Sequence, residues 1–344
     1  MKSHSTRFWL QRVLLLMLVL LFSGSQQSFI VADAAPPINA HASAKARQLL
    51  AYLTNVPDGM LISGQHDYLE APDEQNNKLQ QISGQFAGLH GYEFGGLANQ
   101  SRTALREQRQ RVVNSAIEWS QDGGIVAITF HQALPGKPKT WKNVQAKITQ
   151  AEFNRYITPG TPQYKQLIAD LDEAALSLKT LRDADVPVLW RPYHEMNGNW
   201  FWWGNKQNYA KLWDLMYDRF VHVHHLDNLL WVWSPNAPNA YSTPYNLSFP
   251  GINRVDVLAA DIYNNDYKSS YYYTELLKLA QGKPMGIGES DILPSAKVLQ
   301  NQPAWAYAMT WGKELSATNS QATIRHFMNQ NNIITRDLLH ESLR

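Results

Sequence analysis

The sequence predicts an α/β fold, a (β/α)8 TIM barrel, from three observations. Eight short apolar runs recur along the chain: Met60–Gly64, Phe86–Phe94, Gly124–His131, Val186–His194, Asn228–Pro235, Val255–Tyr263, Pro284–Glu289 and Trp305–Trp311. Their near-continuous apolar character suits parallel strands buried on both faces. The segments between them carry helical periodicity, and eight such units in roughly 300 residues close most economically into a ring.

Taken in order, the first run leads into Gly64-Gln65-His66-Asp67. An open doubly wound sheet, the alternative fold, would normally bring a glycine-rich phosphate turn at that point, and this is not one. The second run contains Tyr92-Glu93 near its end. Val112, Val113, Ala116 and Trp119 then fall on one helical face. The third run closes on Thr129-Phe130-His131. Leu167, Ile168, Leu171, Ala174, Ala175 and Leu178 repeat the helical spacing before the fourth, and Tyr209, Leu212, Trp213, Met216 and Phe220 repeat it after. Residues 236–254, rich in Pro and Asn, are expected to be mostly loop.

The N-terminus has the pattern of a secretory signal. Lys2, Arg7 and Arg12 precede the ten apolar residues Val13–Phe22, too short a run to span a bilayer as an ordinary helix. Small-residue cleavage sites follow at Ala32-Asp33-Ala34 and, less regularly, at Ser23-Gly24-Ser25; an uncleaved anchor is the alternative. The expected organisation is a signal peptide over 1–34, a Pro/Ala linker over 35–42 and one catalytic domain over 43–344 in a secreted protein, extracellular or periplasmic. Cleavage after Ala34 leaves 28 basic and 28 acidic residues from the formal +2 of the full chain. A near-neutral chain without a basic tract argues against nucleic acid or anionic lipid as the partner. The absence of Cys excludes disulfides, thiolate metal sites and a cysteine nucleophile.

The most informative stretch is PVLWRPYHEMNGNWFWWG, from Pro187 to Gly204. A buried strand ends there in Arg191, Tyr193, His194, Glu195 and Asn197, followed by Trp200, Phe201, Trp202 and Trp203. Burying such polar groups unpaired costs several kcal/mol, about 2–7 for even a neutral one. A sugar site needs this mixture: flat aromatics cover the ring's C–H face, polar groups bond its hydroxyls, and a carboxyl handles protons.

Barrel active sites sit at the C-terminal ends of the strands. The fourth run ends in His194-Glu195 and the seventh in Glu289, and runs four and seven face each other across an eight-membered ring. Two opposed carboxyls are the minimal machinery of glycoside hydrolysis. Gly286 and Gly288 are expected to leave room beside Glu289 for a substrate. Tyr263 is expected to donate a hydrogen bond to Glu289, and Trp311 to form a floor for a sugar. His131 stands open between a structural and a substrate role; His66 is expected to be structural. His222, His224 and His225 lack the spacing of a helical zinc site, and no metal is expected there or elsewhere.

RPYHEMNGNWFWWG resembles the acid/base signature of glycoside hydrolase family 26, chiefly endo-β-1,4-mannanases. ITPGTPQYKQLIADLDEAALSLKTLRDADVPVLW, GIGESDILP and WAYAMTWGKE resemble other segments of that family, so the likeness runs from about Ile62 to Leu339. It implies Glu195 as acid/base and Glu289 as nucleophile of a retaining reaction. It implies His194 and Tyr263 as their supports, Trp200 and Trp311 as subsite aromatics, and His131 as a family position on the third strand. Gln132 and Glu93 depart from the family, which often has an aromatic and an aspartate there. The substrate implied is a β-linked polysaccharide, β-1,4-mannan first. β-1,3-Xylan and mixed-linkage β-glucan are the alternatives within the family, and a sugar-binding protein without turnover is the alternative of another class. A monomer is expected, with no cofactor, no nucleic acid partner and no membrane association after signal cleavage. For Glu195 to hold a proton near neutral pH, burial and the Glu289 charge must raise its pKa.

Overall fold

A computed structural model describes residues 35–339, apart from 265, 266, 268 and 269. The signal peptide expected over 1–34 lies outside the described residues. Eight parallel strands form the ring: β1 (Leu61–His66), β2 (Leu89–Glu93), β3 (Ile125–Phe130), β4 (Val188–Pro192), β5 (Leu229–Trp233), β6 (Val257–Ile262), β7 (Met285–Ser290) and β8 (Trp305–Thr310). Each pairs with its neighbours, and β1 pairs with both β8 and β2, which closes the barrel. All eight expected runs became these strands. A ninth, two-residue strand, β9 (Ile333–Ile334), pairs with Leu61 and Ile62 at the start of β1.

Side chains alternate between two cores, as a strand's period of two requires. In β5, Leu229, Trp231 and Trp233 face the helices, while Leu230 and Val232 face the barrel axis. The inner core also takes Ile62, Leu89, Ile125, Leu189 and Val257. Helix α1 (Ala44–Thr54) contributes Ala46, Leu49, Leu50 and Leu53 to the same cluster and so plugs the barrel base. The outer helices bury the stripes the periodicity marked. Those of the helix Arg102–Gln121 are Val112, Val113 and Ala116, with Trp119 beside them. Those of the helix Pro162–Asp183 include Leu167, Leu171 and Leu178, and those of the helix Tyr209–Tyr217 include Leu212 and Met216. Between β5 and β6 only two single-turn 3₁₀ segments interrupt the loop.

The stretch read as a linker, 35–42, is tied to the barrel. Ile38 N donates to Asp256 Oδ1 at 2.7 Å, and Asn39 Nδ2 to Asp227 Oδ1 at 2.9 Å. Asn39 and Ala42 are buried. Among the described residues no helix is long and apolar enough to cross a membrane.

Candidate active site

The end of β4 is bent by its own backbone. Tyr193 and Glu195 have φ of 47° and 53°, in the left-handed region that costs an L-residue about 1–3 kcal/mol unless its surroundings hold it. They are held. Glu195 N donates to Ser234 O at 2.7 Å and Gly198 N to Glu195 O at 3.0 Å. Trp203 Nε1 donates to His194 O at 2.8 Å and Tyr209 hydroxyl to Tyr193 O at 3.2 Å. The bulky Trp203 is thus a buried brace rather than a sugar surface, as is Trp202, whose indole donates to Gln132 O at 2.9 Å. Only Trp200 of the three stays partly exposed.

Glu289 reaches the site through a β-bulge. Ala260 pairs with Ile287 and Asp261 with Glu289, so Gly288 is an extra residue in β7. Met285 and Ile287 face the helices. Alternation would send Glu289 the same way, and the bulge turns it towards the axis. The expectation that Gly286 and Gly288 make room for substrate is corrected here. A Cβ on Gly286 would meet the Tyr307 ring at 2.2 Å, and one on Gly288 would meet Ser234 Oγ at 2.3 Å and Asp261 Oδ1 at 2.6 Å. The glycines admit neighbouring side chains of the barrel, not a ligand.

Arg191, buried inside the mouth, joins the acids. It donates through Nη1 to both Asp261 oxygens, at 3.1 and 3.0 Å, and through Nη2 to Glu289 Oε1. Tyr263 donates its hydroxyl to Glu289 Oε2 at 2.7 Å, as the sequence led us to expect. Ser234 donates to Asp261 at 2.7 Å. Among the described residues Glu195 has no guanidinium contact; its Oε2 accepts from Trp200 Nε1 at 2.5 Å. Glu195 is 9% exposed and Glu289 5%. Burial pushes the Glu195 carboxyl well above the usual range, and the charges of Asp261 and Glu289 push it further. Asp261 is a contributor that the sequence reading did not foresee. Burial, and then the charge of Glu289, likewise raises the Tyr263 hydroxyl well above its usual range, so the phenol stays a donor.

Behind these acids runs a chain of buried groups. Glu93 accepts from His131 N at 3.0 Å and faces His131 Nδ1 at 2.6 Å. His131 Nε2 lies 2.9 Å from His194 Nε2, which is 3.5 Å from Glu289 Oε1. With Glu93 accepting, His131 donates from Nδ1, and one hydrogen lies between the two Nε2 atoms. Burial, then Arg191, holds His194 well below its usual pKa, hence neutral. Burial likewise holds His66 well below its usual pKa. His66 stacks under Trp311 with centroids 3.9 Å apart and planes 23° apart. Trp311 is half-buried, with its backbone N–H fixed on Ser290 O at 2.9 Å. The seven expected site residues, His131, His194, Glu195, Trp200, Tyr263, Glu289 and Trp311, therefore come together at one mouth. Gln132 serves the frame, accepting from the Tyr193 hydroxyl at 2.7 Å.

The sequence sets Arg191 in the polar stretch of the fourth run and Asp261 and Glu93 at strand ends, but it does not show the part each plays in the site. Each stands at a strand's inward end, and that parity was the available signal. Two sets of side chains, His131–His194–Glu289 and His194–Glu195–Asp261, bring potential ligand atoms within 4.8 Å of one another. The Arg191 guanidinium already supplies the cation at Asp261 and Glu289, and the donor set fits proton handling better than metal ligation. His224 pairs with Asp172 at 2.7 Å and His222 with Asp218 at 3.7 Å. Among the described residues, no three-residue metal-binding group contains them.

A closed parallel barrel with two buried glutamates on opposed strands, flanked by half-buried indoles, is the arrangement of a glycoside hydrolase. The profile of glycosyl hydrolase family 26 matches residues 38–338, and the chain belongs to that family. A mannan endo-1,4-beta-mannosidase from Bacillus subtilis is 29% identical over 338 residues, which span 91% of this chain and 92% of that protein. Mannan endo-1,4-beta-mannosidase A from Piromyces sp is 31% identical over 244 residues, 68% of this chain but 39% of the longer relative. The chain thus spans well under half the length of that Piromyces relative. The solved structure of GH26A from Muricauda sp. MAR_2010_75 superposes with a TM-score of 0.83 at 37% identity, covering 88% of this chain and 99% of that one.

Proposed function

We propose that the protein is a secreted, retaining endo-β-1,4-mannanase with Glu289 as nucleophile and Glu195 as acid/base. Glu289 attacks the anomeric carbon, the glycosidic C–O bond breaks, and the leaving oxygen takes the Glu195 proton. Glu195, now a carboxylate, removes a proton from water. The water oxygen attacks the same carbon, and the bond to Glu289 breaks. One observation carries this reading: the two carboxyls have opposite surroundings. A guanidinium and a phenol donate to Glu289, which suits an ionised nucleophile. Glu195 is buried beside acidic neighbours and keeps its proton for donation.

The names of the Bacillus and Piromyces relatives support mannan as the substrate. The even charge balance of the chain after residue 34 suits an uncharged polymer. Trp200 and Trp311 offer faces for sugar rings, and His131, His194 and Tyr263 line the site between them. The basic, apolar and small-residue order of residues 1–34 supports export. Incubation with galactomannan, glucomannan, β-1,3-xylan and lichenan, with products sized, tests the reading. Galactomannan is expected to yield reducing ends and a ladder of oligosaccharides. Release from β-1,3-xylan or lichenan alone would move the substrate and keep the chemistry. Binding without release from any polymer would make the protein a sugar-binding module instead.

A further inference from the structure

We infer that Tyr241 is a sugar-stacking platform on the leaving-group side of the cleft, held rigid against the Glu195 loop. The inference rests on the proposed mannanase reading and adds a subsite to it. Tyr241 lies in the loop that follows β5, and it is 81% exposed. An exposed tyrosine on a slack loop would mean little. This loop is not slack. Asn197, fully buried two residues after Glu195, donates through Nδ2 to the carbonyls of Asn236 at 2.8 Å and Thr243 at 2.9 Å. Its Oδ1 accepts from Asn236 N at 2.9 Å, and its backbone carbonyl accepts from Thr243 N at 2.8 Å. One side chain therefore clasps both ends of the segment that carries Tyr241.

The segment is also tied internally. Tyr241 N donates to Asn239 Oδ1 at 2.8 Å, and Asn239 N and Asn236 Nδ2 each donate to Ser242 Oγ at 3.1 Å. Fixing a residue's backbone costs conformational entropy. Here that ordering is complete before any ligand arrives, and the ring it presents packs little of its surface. Preorganised aromatic surface of this kind is what a binding site uses to lower the cost of capture.

The position assigns the side. Ser242, next in the chain, bridges Gly198. The Trp200 ring lies against Gly198, where a Cβ would come within 2.1 Å of its Cη2, and the same indole donates to Glu195. Tyr241 thus stands on the rim of the group that protonates the leaving oxygen, while the attack comes from β7. Sugars beyond the broken bond leave over that rim.

The test compares Tyr241→Ala and Tyr241→Phe with the wild-type full chain. Bond cleavage in mannopentaose is mapped by incorporation of 18O from labelled water, and hydrolysis of an aryl mannobioside is measured alongside. In Tyr241→Ala, KM for mannopentaose is expected to rise several-fold, and cleavage to shift towards bonds that leave fewer sugars on the departing side. Tyr241→Phe keeps the flat face and is expected to behave as wild type. The aryl substrate places no sugar on Tyr241, so its kcat/KM is expected to stay unchanged. An unaltered cleavage map in Tyr241→Ala, or an equal loss on the aryl substrate, would overturn the platform and leave the mannanase reading intact. Failure of the wild-type protein itself to cut mannopentaose would overturn both.

Discussion

One guanidinium serves this site, and three carboxyls surround it. Arg191 engages Asp261 and Glu289 directly, and Glu195 is left with an indole donor only. With His194 held neutral, the site holds more acid than cation, and burial raises both Glu195 and Asp261 well above the usual carboxylate range; Arg191 and Ser234 donate to Asp261 and oppose that rise, so the retained proton is assigned to Glu195. Two consequences are measurable. Glu289→Ala should lose on the order of 10⁴-fold or more with every substrate, because no glycosyl-enzyme can form. Glu195→Ala should lose far less in the first step when the leaving group is an acidic phenol that departs without protonation. Equal damage to polymer and activated aryl glycoside would sink the assignment of Glu195. On the proposed assignment the same carboxyl should set the alkaline limb of kcat/KM: it would act protonated, so activity should fall as pH rises through its elevated pKa. In Glu195→Gln that limb should vanish from the residual activity towards activated substrates.

At the scale of elements, the strands were legible and their irregularities were not. Burial on both faces leaves a continuous apolar run in the sequence, so Val188–Trp190 or Leu229–Trp233 announces a strand directly. A bulge leaves no such mark. Gly288 reads as a gap for substrate, whereas it is the extra residue that turns Glu289 inward and makes way for Asp261 and Ser234. Arg191 and Asp261 were hidden because their function is mutual, and pairing across three strands is not written in either strand's own pattern. The Pro/Ala composition of 35–42 reads as a linker and carries no sign of its partners, which are distant in sequence: Asp227, Asp256 and the Tyr217 hydroxyl, which donates to Ile38 O at 3.2 Å. Asp256 makes this docking pH-dependent. Burial raises its pKa from 3.8 to about 6, against the opposing donations from Trp231 N and Ile38 N. The folded chain therefore binds this proton more tightly than the unfolded one. The stabilising contribution is complete below about pH 4 and is lost as pH rises through about 6, a difference on the order of 2–3 kcal/mol. Asp256→Asn cannot ionise, but it turns an amide towards one of the two N–H donors. Its stability deficit against wild type should therefore shrink between about pH 4 and pH 8, as read by urea unfolding at both. A deficit that stayed constant or grew would mean that this carboxyl ionises as freely in the fold as in water.

At the scale of the whole molecule, the barrel turns sequence distance into chemical opposition. Glu195 and Glu289 lie on strands three places apart in a ring of eight, and closure of the ring points both into one mouth. His194 sits between them: its Nε2 is 3.5 Å from Glu289 Oε1, and its ring nitrogen belongs to the same 4.8 Å cluster as a Glu195 oxygen. An inverting pair needs room for a water beneath the sugar, and its carboxyls stand about 6.5–9.5 Å apart. Direct attack by Glu289 fits the closer arrangement of about 5–5.5 Å. Attack and then water entry each invert the anomeric carbon, so a β-linked substrate should give a β-anomer first. Proton NMR of the earliest product, recorded before mutarotation, reads this directly. An initial α-anomer would show a single displacement, and Glu289 would become a general base acting on water.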